Sequence, residues 1–465
     1  MESHILVELT YLLSAILFVV GLKRLQSPAT ARAGNAIAAV AMALAIGATV
    51  VDNQILSWTE ILIGVAIGGT IGGVAARMVK MTAMPEMVGL FNGFGGGASA
   101  LVAIAEYLNA TQSGADVGTS TYGVSIMLGT FIGGLTFSGS MIAFLKLKEW
   151  MTGNPITYPG QKTLNALMFL GVIAAAAMAM GVGDADPQTM FWAMLALSLV
   201  MGVTLTIPIG GADMPVVISL LNSYSGLAAS AAGFVIMNMV LIISGALVGA
   251  SGLILTMIMC KGMNRSLTNV MFGAFGGTAN IDKSQIGKRP VKRADAESVA
   301  MELGYAHSVV IVPGYGLAVA QAQHELRKVG DLLEARGVDV KYAVHPVAGR
   351  MPGHMNVLLA EADVPYDRLF DLDEINSDFP NTDAVLIVGA NDVCNPAARD
   401  PKSVIAGMPI LDVDLARRTI VMKRSLSPGF AGIDNDLFYN DNNLMFFGDA
   451  KQSMADLVKA VRELA

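Results

Sequence analysis

Apolar stretches are long in the first part of this chain and short in the second, and the pattern changes near residue 260. Before that point, long apolar stretches are separated by short polar connections. An α-helix rises 1.5 Å per residue, so about 20 apolar residues cross the hydrocarbon core of a bilayer. The stretches therefore predict nine membrane-spanning helices, at residues 4–22, 35–52, 59–78, 86–108, 122–145, 164–183, 190–208, 215–236 and 238–260.

After residue 302 the apolar runs become short and alternate with segments of helical periodicity. Runs rich in β-branched residues predict strands at residues 309–312, 338–344, 384–389, 410–413, 419–423 and 444–447. Helices are predicted at residues 317–336, 355–361 and 451–464. This alternation predicts an α/β, Rossmann-like, doubly wound parallel sheet of about six strands.

Composition supports a membrane part followed by an ordinary soluble part. Of all residues, 54% are hydrophobic and 14% are charged, whereas soluble domains carry roughly 25% charged residues. Only 8 of the 30 Lys and Arg residues come before residue 260. We therefore predict a multi-pass α-helical membrane domain at residues 1–262, a linker at 263–302 and a cytoplasmic sheet domain at 303–465.

The charges between the predicted spans indicate the orientation of the chain. The alternate connections carry only acids, whereas basic residues follow spans one, three, five and nine, at Lys23, Arg24, Arg32, Arg77, Lys80, Lys146, Lys148, Lys162, Lys261 and Arg265. Lys and Arg are retained on the cytoplasmic side of membranes. The N-terminus is therefore expected outside and the C-terminal domain in the cytoplasm. The two cysteines, Cys260 and Cys394, cannot form a disulfide framework, which fits a cytoplasmic soluble part.

Two predicted spans look like copies of each other. Residues 84–94 align without gaps on residues 214–224, and each copy begins with Met-Pro and has an asparagine eight residues later. Amides in hydrocarbon are costly unless they are paired. Asn92 and Asn222 either cross-link helices or line a hydrated proton path with Asp213 at its cytoplasmic mouth. No histidine lies inside a predicted span, since His4 is only the first residue of span one.

A glycine turn follows the first predicted strand. Gly314 and Gly316 begin a G-x-G-x-x-[GA] pattern whose sixth position is Val319, so the match is incomplete. In a strand–turn–helix setting, such glycines let the backbone approach a pyrophosphate at the helix N-terminus. The pattern alone fits either a nucleotide site or an ordinary turn.

Polar, glycine-bearing segments follow four of the predicted strands, at residues 345–353, 389–392, 423–425 and 448–451. Ligands of parallel sheets bind beyond the carboxyl ends of the strands. The second strand ends without the acid that usually holds the ribose of NAD, whereas Lys423, Arg424 and Ser425 suit a 2′-phosphate. These features favour NADP, with residues 428–432 and 434–436 as a lid.

Taken together, these segments are similar to a known family. Over essentially its full length, the chain resembles the beta subunit of proton-translocating NAD(P) transhydrogenases. The resemblance rests on residues 314–320, 347–355, 389–392, 423–425 and 448–451, and in the membrane part on residues 210–215 and Asn222. Some family members have a membrane histidine where this chain has Asn92, so the protonatable imidazole is expected on a partner subunit.

The resemblance implies a set of functional residues. NADP(H) would be bound by Gly314, Tyr315, Gly316, Val347, Ala348, Gly349, Arg350, Met351, Pro352, Gly389, Ala390, Asn391, Asp392, Val393, Lys423, Arg424, Ser425, Gly429, Phe430, Ala431, Asp449 and Ala450. Asp213 and Asn222 would serve proton translocation, and the internal repeat adds Asn92 as a candidate. Asp392 is a candidate for sensing protonation near the nicotinamide, and no metal is expected.

The resemblance also implies partners. Direct hydride transfer from NADH needs an alpha subunit that carries the NAD(H) domain and further transmembrane helices, in a dimer of alpha/beta units in the bacterial inner membrane. The alternative is a nucleotide-gated transporter or channel subunit with an NADP-sensing domain. A membrane oxidoreductase with haem or flavin would need buried histidine pairs. The basic residues at 283–293 are expected on the lipid surface, so no nucleic acid partner is predicted.

Overall fold

The computed structural model of the chain forms two compact units. One comprises Met1–Thr152, Ile156–Pro208 and Val217–Ile254, and the other comprises Gly153–Pro155, Ile209–Val216 and Leu255–Ala465. The structure describes residues 2–25, 27–51, 58–80, 83–114, 117–118, 120–153, 155–211, 213–272, 289–351, 353–403, 405–429 and 431–464.

Within these residues, nine helices are long and apolar enough to cross a membrane, which confirms the predicted spans. They are α1 (Glu2–Leu25), α2 (Pro28–Val51), α3 (Trp58–Met78), α4 (Met84–Gln112), α5 (Thr121–Leu147), α6 (Gln161–Ala179), α7 (Pro187–Thr206), α8 (Met214–Val235) and α9 (Met239–Gly262). Proline in the first turn of α4 and α7 costs no hydrogen bond, because the first N–H groups of a helix have no intrahelical partner.

Small residues bring these helices together. A Cβ atom placed on Gly133 of α5 would lie 2.5 Å from the carbonyl oxygen of Gly96 in α4. Between α8 and α9, the hydroxyls of Ser219 and Ser223 donate to the carbonyl oxygens of Gly252 and Gly249, at 3.1 and 2.5 Å. Lipid offers no hydrophobic drive between helices, so close backbone approach and hydrogen bonds hold this part together.

The second unit contains a six-stranded sheet in which every pair of neighbouring strands is parallel, as the sequence predicted. The strand order is β3-β2-β1-β4-β5-β6. The strands are β1 (Ser308–Pro313), β2 (Asp339–Val344), β3 (Leu369–Asp371), β4 (Ala384–Val388), β5 (Arg418–Lys423) and β6 (Asn443–Phe447). The helices are α10 (Leu267–Phe272), α11 (Ala296–Gly304), α12 (Tyr315–Ala320), α13 (Gln323–Glu334), α14 (His354–Glu361), α15 (Leu372–Ile375) and α16 (Ala450–Glu463).

One strand predicted from the sequence was wrong, and one strand of the sheet was not predicted. Residues 410–413 form no strand, although Ile410 and Leu411 are buried. The backbone N–H of Leu411 donates to the carbonyl oxygen of Val393, a loop residue, so this apolar run fills the core from a loop. The true third strand, β3, has only three residues at the edge of the sheet, and none of them is buried, so its apolar signal is weak.

The helix predicted at residues 317–336 is interrupted. It consists of α12 and α13, because Gln321 adopts a left-handed conformation with φ of 52° between them. The break makes α12 a short helix directly after the glycine turn. α13 then packs against β2 and α16, with Leu326, Val329 and Leu333 buried.

The α8–α9 contact yields a stability prediction. Gly245→Val should markedly destabilise the membrane helices, because even a Cβ atom at this position would lie 2.5 Å from the backbone nitrogen of Ser230. Gly68→Val is the matched control, since among the described residues no atom beyond the neighbouring helix backbone lies within 4 Å of a Cβ there. Thermal denaturation of the purified chain in detergent measures both variants. Equal denaturation temperatures would contradict the packing described.

Candidate functional site

The carboxyl ends of β1 and β4 lie side by side where the strand order reverses, and two glycine loops meet there. The backbone N–H of Gly314 donates to the carbonyl oxygen of Val388, and that of Gly316 to the carbonyl oxygen of Gly389, both at 2.9 Å. A Cβ atom on Gly314 would lie 2.4 Å from the backbone of Ala390. The glycine pattern therefore serves a close approach between two loops.

A cavity of about 880 Å³ opens at this edge of the sheet. It brings together most residues predicted to bind the cofactor: Gly314, Tyr315, Gly316, Val347, Ala348, Gly349, Gly389, Ala390, Asn391, Asp392, Val393, Lys423, Arg424, Ser425, Gly429, Ala431, Asp449 and Ala450. Pro352 and Phe430 lie outside the described residues. Arg350 and Met351 are not part of the lining, but the Arg350 guanidinium lies 4.6 Å from the centre of the Tyr315 ring.

One end of the cavity is basic. The half-buried amine of Lys423 donates to the carbonyl oxygen of Ser427 at 2.6 Å and lies 4.9 Å from the centre of the Phe438 ring. Burial lowers the pKa of this amine, while the nearby carboxylate of Asp392 opposes that shift. Arg424 and Ser425, the next two residues, are exposed. The three side chains can offer two cations and a hydroxyl to one anionic group.

Asp392 holds the segment predicted as a lid. One of its carboxylate oxygens accepts a hydrogen bond from the backbone N–H of Ala431 at 3.0 Å. A Cβ atom on Gly429 would lie 2.5 Å from the same carboxylate, so glycine allows this approach. Asp449, also predicted to contact the cofactor, accepts hydrogen bonds from the N–H groups of Lys451 and Gln452 and so caps α16.

Two histidines that were not among the predicted binding residues shape the loop after β2. The ring of His345 is within 2.9 Å of the carbonyl oxygen of Pro409 and accepts a hydrogen bond from the N–H of Val347. His354 accepts one from the N–H of Arg350 at 3.0 Å. Burial lowers the pKa of each imidazole to about 4, so both are neutral at pH 7.

The predicted proton-path residues fall in both units. In the first, the Asn92 side-chain amide donates to the carbonyl oxygen of Ile218 at 3.2 Å, and Asn222 is half-buried. In the second, buried Asp213 accepts hydrogen bonds from Arg265 on both carboxylate oxygens, at 2.9 Å each. Burial raises the pKa of Asp213 to about 6, although the Arg265 charge opposes that rise.

The cavity lining also includes residues that the sequence analysis did not single out as binding residues, among them four that follow the ninth span. These four are Met263, Asn264, Arg265 and Asn269. Arg265 thus lies at the cavity wall and pairs with Asp213, 52 positions earlier. Sequence gave no signal for this pairing beyond the presence of a basic residue after the ninth span.

Comparison with known proteins identifies the family. Residues 7–460 match the family model described as "NAD(P) transhydrogenase beta subunit". This chain belongs to that family. The NAD(P) transhydrogenase subunit beta of Rhodospirillum rubrum is 48% identical over 465 residues, covering 99% of this chain and all of the relative. The protein from a named strain of that organism gives the same values. The resemblance inferred from the sequence is therefore confirmed.

One of the two buried histidines of this beta subunit, His345, yields a pH prediction. His345 has a pKa of about 4 when folded against 6.5 ordinarily, so the unfolded chain takes up its proton first. Stability from this group is complete above pH 6.5 and is lost as pH falls toward 4, by about 2 kcal/mol at pH 5. His345→Asn should reduce this pH dependence, whereas His324→Gln, an exposed control, should not.

This contribution of His345 to the free energy of unfolding can be measured by urea unfolding of the full-length chain in detergent at pH 7 and pH 5. Unfolding is monitored by amide hydrogen exchange in β4. The same loss of stability in His345→Asn as in the unsubstituted chain would show that other groups cause the pH dependence.

Proposed function

We propose that this beta subunit binds NADP(H) in the cavity beyond β1 and β4 and couples hydride transfer to proton translocation across the membrane. The observation that carries the proposal is the convergence of the predicted cofactor residues on one cavity at the strand-order reversal. When bound, NADP⁺ accepts a hydride at its nicotinamide. The hydride donor would be NADH on an alpha subunit.

The residues present fit a dinucleotide. Gly314 and Gly316 line the cavity and let two loop backbones meet there, and the Tyr315 ring, stacked against the Arg350 guanidinium, also lines it. In our proposal, Lys423, Arg424 and Ser425 hold the 2′-phosphate, which distinguishes NADP from NAD.

The absence of an acid after β2 supports the same choice. That strand ends at Val344, and the next side chain is the neutral, buried imidazole of His345. An imidazole engaged with Pro409 and Val347 leaves no carboxylate there for a ribose 2′-hydroxyl. NADP is therefore the nucleotide that this edge of the sheet suits better.

We propose roles for Asp392 and the lid as well. In the predicted lid, the backbone N–H of Ala431 donates a hydrogen bond to the Asp392 carboxylate. A change in the charge of Asp392 would weaken this hydrogen bond and so loosen the lid. Asp392 would thereby link protonation to how tightly the nucleotide is held.

The proton would be handled by Asp213, Asn222 and Asn92. The Asp213–Arg265 pair supports this, because Arg265 also lines the cavity. Loss of a proton from Asp213 strengthens its attraction to Arg265, and gain of one removes it. One proton crossing about 150 mV supplies roughly 3.5 kcal/mol, which shifts the nucleotide ratio on the order of 300-fold.

The setting follows from the same proposal. The membrane domain would span residues 1–262, the linker 263–302 and the NADP(H) domain 303–465, with the N-terminus outside and the last domain in the cytoplasm. The chain would act in the bacterial inner membrane with the alpha subunit's NAD(H) domain and transmembrane helices, as a dimer of alpha/beta units. Its product would be regenerated NADPH.

Arg424→Gln tests the nucleotide choice. We expect about 10- to 100-fold weaker NADPH binding, because a charge-assisted hydrogen bond to the 2′-phosphate contributes roughly 1.5–3 kcal/mol, and little change for NADH. Arg417→Gln is the control, since this exposed cation pairs with Asp383 at the amino ends of the strands. Nucleotide fluorescence titration measures both. Equal losses for the two nucleotides would contradict a 2′-phosphate site.

Sealed vesicles containing the chain with co-expressed partner subunits test the coupling. After addition of NADPH and an NAD analogue, we expect reduction of the analogue together with a change in internal pH. Asp213→Asn should abolish both signals, since the pair with Arg265 loses its charge. Reduction without proton movement would refute the role of the membrane part. Bound NADPH with neither signal would favour the nucleotide-gated transporter or channel.

A further inference from the structure

The end of the linker adds to the open edge of the sheet. The backbone N–H of Ala294 donates to the carbonyl oxygen of Met445, and that of Met445 donates to the carbonyl oxygen of Lys292, at 3.0 and 2.7 Å. Arg293 thus pairs with Met445 of β6 in a parallel bridge. The described basic residues of this segment, Arg289, Lys292 and Arg293, also contact side chains of this domain.

Arg289, the first described residue after positions 273–288, contacts three side chains between residues 434 and 439. Two of them belong to the 434–436 turn and the third is Tyr439. The Arg289 guanidinium lies 2.6 Å from a carboxylate oxygen of Asp436 and 3.6 Å from one of Asp434. It also lies 3.8 Å from the centre of the Tyr439 ring. The Tyr439 hydroxyl donates to Asp434 at 2.9 Å, so charge, stacking and a hydrogen bond converge on the same turn.

The other side of this turn reaches the cavity. Asn435, which is 1% exposed, donates from its side-chain amide to the backbone carbonyl oxygen of Asn391 at 3.1 Å. Asn395 donates to the carbonyl oxygen of Asp434 at 3.0 Å. Asn391 and Asp392 line the cavity. A continuous series of contacts therefore joins the linker to the loop after β4.

We propose that Arg289 and Tyr439 are positioning residues that hold the 434–436 turn and, through Asn435, the Asn391 loop in the shape that binds the nucleotide. This inference rests on the proposed function of the cavity. An isolated exposed ion pair contributes little to the stability of a fold. Here the guanidinium is also stacked, and its acid partner Asp434 is fixed by a second side chain, so the contacts restrain one geometry.

The test uses the full-length chain co-expressed with its partner subunits. Arg289→Gln should raise the Kd for NADPH about fivefold and leave the KM for the NAD analogue unchanged. Arg289→Lys should be intermediate, because lysine keeps the charge but loses the planar stacking on Tyr439. Lys292→Gln is the matched control: it removes an ion pair from the same segment, but its partner Asp441 lies outside the contacts that reach Asn391.

Tyr439→Phe provides a second, independent variant, because it keeps the ring and removes only the hydrogen bond to Asp434. If both residues act through one turn, the effects of Arg289→Gln and Tyr439→Phe on NADPH binding should not add. NADPH affinities equal to that of Lys292→Gln in both variants would overturn the inference. Absence of NADPH binding to the unsubstituted complex would instead refute the proposed function.

Discussion

The candidate site depends on one constraint: two loops must meet at the ends of β1 and β4 without any Cβ atom between them. Gly314 and Gly389 satisfy it, because side chains at these positions would collide with the opposite backbone. The hydrogen bonds between the two loops continue the register of the two central strands, β1 and β4. The cavity lies next to this contact, and its lining includes Tyr315 of α12 and Asp392 of the loop after β4.

The two units meet the need to pair backbone and polar groups in different ways. In the membrane helices, serine hydroxyls such as Ser219 and Ser223 bond to glycine carbonyls of a neighbouring helix, which removes polar groups from the hydrocarbon. In the sheet unit, loop side chains take over this task, as Asn435 does for the carbonyl of Asn391. In both units, polar side chains such as these satisfy backbone carbonyl groups and so stabilise the fold.

Several groups connect places that are distant in the chain. Arg265 joins the buried Asp213 to the cavity wall, and Arg289 joins the end of the linker to the turn behind Asn391. Both are arginines, whose planar guanidinium can form two directed hydrogen bonds or stack on a ring. In the proposed coupling, such residues would carry the consequences of proton binding towards the nucleotide.

The sequence by itself determined the nine spans, the parallel sheet and the strand ends that gather at the cavity, because hydrophobic periodicity and glycine-bearing turns are local signals. Only the tertiary structure decided that residues 410–413 fill the core from a loop, and that β3 is a strand. It also decided the Asp213–Arg265 pair and the contacts of Arg289. These features depend on which distant segments pack together. Residues at exposed or edge positions show no hydrophobic periodicity from which that packing could be predicted.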